Sequence, residues 1–96
     1  MKRVEQIRTA LVAAFAPASL QVDDDSAAHA GHAGAASGRG HFRVDIVAAA
    51  FAGMTPVARH RAVYAALGTL MVSDIHALSI RARTPDEAAQ AAGERA

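Results

Sequence analysis

The chain has 96 residues, a formal net charge of +1 and no cysteine. That length corresponds to one domain, and the missing thiols exclude a disulfide framework, a thiolate zinc site, a cysteine nucleophile and any iron–sulfur cluster held by this chain's own sulfur. The 52% hydrophobic share overstates the core, since 26 residues are alanine, and three Phe and one Tyr without Trp argue against a base-stacking surface for single-stranded nucleic acid.

Met1-Lys2-Arg3 ahead of an alanine-rich stretch has the outline of a secretory signal. The unbroken apolar run from Ala10 to Ala16 is at the short limit for one, and Glu5 interrupts the basic leader. The expected compartment is the cytoplasm, and no apolar run approaches membrane-spanning length. The same residues read as an amphipathic helix over 2–16, with Val4, Ile7, Leu11 and Phe15 at three- and four-residue spacing and Pro17 as its stop.

A short strand follows at Ser19–Asp23, with Leu20 and Val22 on one face. Residues 24–40 are rich in Gly, Ala and Ser, contain nothing to anchor a core, and read as a long mobile surface loop. Asp23-Asp24-Asp25 at its mouth point different ways from an extended chain, which suits a solvated strand end better than a metal cluster. His41–Val47 is a clear strand, with Phe42, Val44 and Ile46 on one face and Arg43 and Asp45 on the other. A turn at Phe51-Ala52-Gly53 leads to a helix from Pro56 to about Thr69, whose alanines 58, 62, 65 and 66 allow close approach to a sheet. The third strand is Ile75–Arg83, where Leu78 and Ile80 are expected to share an apolar face with His76. Thr84-Pro85-Asp86-Glu87 starts another helix, expected to fray, so that 1–86 forms the domain and 87–96 a flexible or frayed tail.

The order α-β-β-α-β predicts an α+β fold. The loop-joined first and second strands pair antiparallel. The second and third, joined through a helix, pair in parallel. The sheet is then three-stranded and mixed, with the helices on one face. No nucleophile–base pair, phosphate loop or paired-carboxylate motif marks an enzyme. Five histidines stand out instead: His29, His32, His41, His60 and His76.

Several blocks carry a family resemblance: Asp25-Ser26-Ala27-Ala28-His29, Gly40-His41-Phe42-Arg43-Val44, Phe51-Ala52-Gly53, Arg59-His60-Arg61-Ala62-Val63-Tyr64 and Ile75-His76-Ala77-Leu78-Ser79-Ile80. In this order and spacing they resemble the BolA family, histidine-loop type, over roughly residues 2–86. The resemblance implies a type II KH-like domain. It also implies partnership with a monothiol glutaredoxin and a shared, bridging [2Fe–2S] cluster. Some bacterial members are DNA-binding transcriptional regulators of cell shape and stress response.

Such a cluster needs four ligands, and imidazole can replace thiolate on one iron. By resemblance the thiolates come from the glutaredoxin and glutathione, and this chain supplies His76 and a loop histidine. The motif match falls on His29, with His32 as the alternative. Nitrogen ligation raises the reduction potential relative to an all-thiolate cluster and makes it pH sensitive. His41 reads as structural. For DNA, the candidate contacts are Arg59, His60 and Arg61, with Arg43, Arg81 and Arg83 expected nearby. The Gly-x-x-Gly clamp of KH domains is incomplete here, because the turn reads Gly53-Met54-Thr55-Pro56. The expected partners are thus a monothiol glutaredoxin first, DNA as the alternative, a second copy in a weak homodimer, and no membrane.

Overall fold

A computed structural model describes residues 2–25 and 40–95. Helix α1 (Arg3–Phe15) is followed by strands β1 (Ser19–Asp24) and β2 (Gly40–Val47), then a 3-10 turn (Ala49–Phe51) and helix α2 (Pro56–Leu67). The one-turn helix α3 (Leu70–Ser73) leads into strand β3 (Ile75–Arg83) and helix α4 (Pro85–Arg95). The sheet order is β1-β2-β3, with β1 antiparallel and β3 parallel to β2. This is the expected α+β architecture. The 3-10 turn and α3 are additions that the apolar periodicity, being shorter than two turns, could not announce.

The apolar stripes meet as their spacing requires. Ile7 and Leu11 of α1 are buried against Val22, Phe42, Val44 and Ile46 of the sheet, and Val63 and Leu67 close the core from α2. Phe51, from the 3-10 turn, is fully buried and lies 4.9 Å from the Phe15 ring, centroid to centroid. The two rings are tilted by 39° to each other, and an aromatic pair at this distance adds to the area it buries. Helix α1 ends at Ala16 in the left-handed region (φ 44°), with its N–H donating to the Val12 carbonyl at 3.0 Å. Pro17 then prevents continuation. Helix α2 starts on Thr55, whose Oγ1 accepts from the Ala58 N–H at 3.1 Å, with Pro56 preset for the first turn.

Alternation sorts the sheet. Leu20, Val22, Phe42, Val44, Ile46, Leu78, Ile80 and Ala82 pack with the helices. The other face carries Gln21, Asp23, Arg43, Asp45, Ser79 and Arg81, and its charges pair across strands: Arg43–Asp25 at 3.1 Å, Arg83–Asp45 at 3.3 Å and Arg81–Asp45 at 3.7 Å. Arg43, Arg81 and Arg83 therefore lie across the sheet from α2 and do not join its basic residues. Exposed pairs of this type contribute little stability, but they do neutralise the face.

The boundary expected at 86–87 falls inside the first turn of α4. Glu87 closes a reciprocal cap there: its N–H donates to Thr84 Oγ1 at 3.2 Å, and its carboxylate accepts from the Thr84 N–H at 2.8 Å. Arg59 grips the same carboxylate, at 2.6 and 3.2 Å.

Candidate functional site

The first residues of β2 and β3 lie side by side. The Gly40 N–H donates to the Asp74 carbonyl at 2.9 Å, and the Asp25 N–H donates to the His41 carbonyl at 2.8 Å. Both flanks of the segment 26–39 are thereby fixed at one end of the sheet. The parallel register then slips by one residue: Gly40 pairs with Ile75, but His41 pairs with Ala77. His76 is the extra residue in that bulge. A strict strand would turn it inward with Leu78 and Ile80, as its spacing predicts. The extra residue resets the alternation, so Ile75 is buried (2% exposed) and His76 is exposed instead. Bulges re-aim side chains in this way, and here the imidazole that is re-aimed belongs to the segment's own end of the sheet.

The His76 ring lies 5.0 Å from that of His41, centroid to centroid, at an interplanar angle of 50°. Sequence reasoning treated His41 as structural and did not pair it with His76, because the pairing follows from the slipped register and not from either strand alone. The Nε2 of His41 is buried. His41 is thus a wall against which His76 rests, and that nitrogen does not face outward. His29 and His32 lie outside the described residues. His29 lies four positions beyond Asp25 in sequence and His32 seven, contours of at most about 14 and 25 Å.

Among the described residues, no group of three or more His, Asp or Glu side chains converges to hold a metal by itself. The described residues thus present one exposed imidazole, that of His76, at the end of the sheet where residues 26–39 leave and rejoin it, and the chain carries no thiolate.

The basic triplet on α2 divides. Arg59 has a side chain only 12% exposed, and besides Glu87 it donates to the Met54 carbonyl (Nε, 3.0 Å) and the Ala82 carbonyl (Nη1, 3.1 Å). It ties the turn before α2, the end of β3 and the start of α4 together. The hydrogen bonds from Arg59, then that from the Thr84 backbone, hold Glu87 at a pKa of about 2 against an ordinary 4.5. His60 and Arg61 are exposed. Arg61 shares its stripe with Val57 and Tyr64, 58% and 41% exposed, so the outer face of α2 is partly apolar.

Among the described residues no helix is long and apolar enough to cross a membrane. A small KH-like α+β domain presenting imidazole at one sheet edge, without thiols of its own, is the class these features define. Comparison with known proteins fixes the family. Residues 11–87 match the family model described as BolA-like protein, and the chain belongs to that family. It is similar to BolA-like protein 1 of Homo sapiens, 43% identical over 79 residues, covering 82% of this chain and 56% of that protein. The chain therefore spans little more than half the length of that relative. The solved structure of BolA1 from Arabidopsis thaliana superposes with a TM-score of 0.79 at 40% identity, covering 91% of this chain and 96% of that one. A Vibrio cholerae relative, 41% identical over 73 residues (76% of this chain, 66% of that protein), bears the name DNA-binding transcriptional regulator BolA.

Proposed function

We propose that this chain is a non-catalytic partner of a monothiol glutaredoxin and contributes the nitrogen half of a bridging [2Fe–2S] cluster, serving cluster assembly, transfer or iron regulation. The carrying observation is His76, exposed at a bulge at the end of the sheet where the histidine-bearing segment is anchored, in a chain without thiols. When bound, the cluster supplies one-electron chemistry and a transferable iron–sulfur unit. This chain's part is to hold the His76 imidazole facing outward, to rest it against His41, and to offer His29, or His32 in its place, as the second donor. The sulfur donors come from the glutaredoxin and glutathione.

The test mixes the chain with a monothiol glutaredoxin, glutathione, iron and sulfide. A visible circular dichroism spectrum distinct from that of the glutaredoxin homodimer is expected, and His76→Ala should abolish the difference. A spectrum that survives His76→Ala refutes the ligand assignment.

A second reading, a DNA-binding transcriptional regulator acting through Arg59, His60 and Arg61, draws support from the name of the Vibrio relative and from the exposure of His60 and Arg61. The commitment of Arg59 to backbone carbonyls and to Glu87 narrows the contact set to His60 and Arg61. Binding to duplex DNA should then be weak and steeply salt dependent, and Arg61→Ala should reduce it. Unchanged binding in that variant counts against this surface.

A further inference from the structure

β3 is an edge strand of nine residues, paired only with β2 among the described residues. The Ala48 N–H donates to the Arg83 carbonyl at 2.9 Å, and the register runs evenly from His41↔Ala77 to Val47↔Arg83. The backbone groups of Ala77, Ser79, Arg81 and Arg83 therefore face β2, while those of Leu78, Ile80 and Ala82 face away from the sheet. Part of this outer edge is closed: the Ala82 carbonyl accepts from Arg59 at 3.1 Å, and the bulge at His76 interrupts the other end. The window left between them is Leu78-Ser79-Ile80. The opposite edge is better guarded. β1 has six residues, its Leu20 carbonyl accepts from Arg8 at 3.2 Å, and it ends in Asp23 and Asp24. Charge and capping are the usual protection of an edge, and the centre of β3 has neither.

The window is also self-complementary. We infer that two copies of the chain associate through antiparallel pairing of β3 with β3, with the two-fold axis through Ser79. In this register Leu78 lies opposite Ile80 of the second copy and exchanges both backbone hydrogen bonds with it, and the symmetry repeats the exchange. Leu78 and Ile80 are half-buried on the helix-covered face, so each extends the other's apolar surface. On the open face, Ser79 meets Ser79 and Arg81 meets the small Ala77, so no like charges stand directly opposite. A pairing centred nearer the end of β3 would need the carbonyl that Arg59 occupies, and one centred nearer its start would run into the bulge. The contact is isologous and closes on itself. Its small size makes the dimer weak and dependent on concentration.

Sedimentation equilibrium from about 10 μM to about 1 mM protein should show a monomer–dimer equilibrium. Ser79→Lys, at an exposed position, sets two ammonium groups across the axis and should weaken association at least about tenfold with an unchanged thermal melt. Amide exchange offers an independent readout: the Leu78 and Ile80 N–H groups should slow as concentration rises, while those of Ser79 and Arg81 stay slow throughout. A monomer over the whole range, a dimer indifferent to Ser79→Lys, or Leu78 and Ile80 amides insensitive to concentration would each overturn the inference.

Discussion

Arg59→Ala separates a structural role from a nucleic-acid role for the basic triplet. The variant removes the donors from two backbone carbonyls, those of Met54 and Ala82, at 3.0 and 3.1 Å. Hydrogen bonds from charged donors are worth about 1.5–3 kcal/mol each, and the pair would lose about 3–6 kcal/mol if neither carbonyl found a substitute. Ala82 sits at the free edge, where water can replace the guanidinium, so about 2–4 kcal/mol is the expected loss. For a domain of this size each kcal/mol moves the melting temperature by about 4–8 °C, and a fall of roughly 8–32 °C should follow. Thermal denaturation followed by circular dichroism measures it, with Arg61→Ala as the matched control. Arg61 is exposed and its removal should change stability by no more than about 0.5 kcal/mol. If the two variants melt together, Arg59 is no clamp and its place in a DNA-contact surface reopens.

Glu87 gives the clamp a pH signature. Its pKa is lowered to about 2 in the fold, so its stabilising contribution is fully present above the ordinary value near 4.5 and is lost as pH falls toward 2. Glu87→Gln should reduce stability at neutral pH and remove the part of the acid-limb slope due to this group, as read from denaturant melts between those pH values. Phe51→Ala empties a fully buried site and breaks the ring pair with Phe15, and a loss of about 3–5 kcal/mol in denaturant unfolding is expected. Ala16→Gly relieves a side chain held at φ 44°, and should raise stability by about 0.5–1 kcal/mol in the same assay. His76→Ala, at an exposed position, should leave the melt within about 0.5 kcal/mol of the parent.

The element order was legible because the apolar spacing is clean where it matters. Val4, Ile7, Leu11 and Phe15 mark one helix face, and Phe42, Val44 and Ile46 mark one strand face; Pro17 and Pro56 fix a stop and a start. The antiparallel and parallel pairings followed from the lengths and kinds of connection. The placement of His76 was not legible. Period-two alternation assigns it inward, and one residue of slippage between neighbouring strands reverses that. The partnership of Arg59 was equally hidden, since its acceptors lie 23 and 28 residues away in sequence, at Ala82 and Glu87. Spacing within one helix identifies neighbours on that helix, whereas this contact depends on how α2, β3 and α4 come together. The two loop histidines lie outside the described residues, so the choice between His29 and His32 rests on motif position.

The most direct test of the half-site is to identify the nitrogen that reaches the iron. This chain, labelled with 15N-histidine, is assembled with an unlabelled monothiol glutaredoxin, glutathione, iron and sulfide; the cluster is then reduced by one electron and examined by pulsed electron paramagnetic resonance. Strong 15N couplings of directly bound imidazole are predicted, and they should be lost in His76→Ala, with which the mixed cluster does not form. A mixed complex whose cluster shows sulfur ligation alone, with no coupling to label from this chain, would contradict the account.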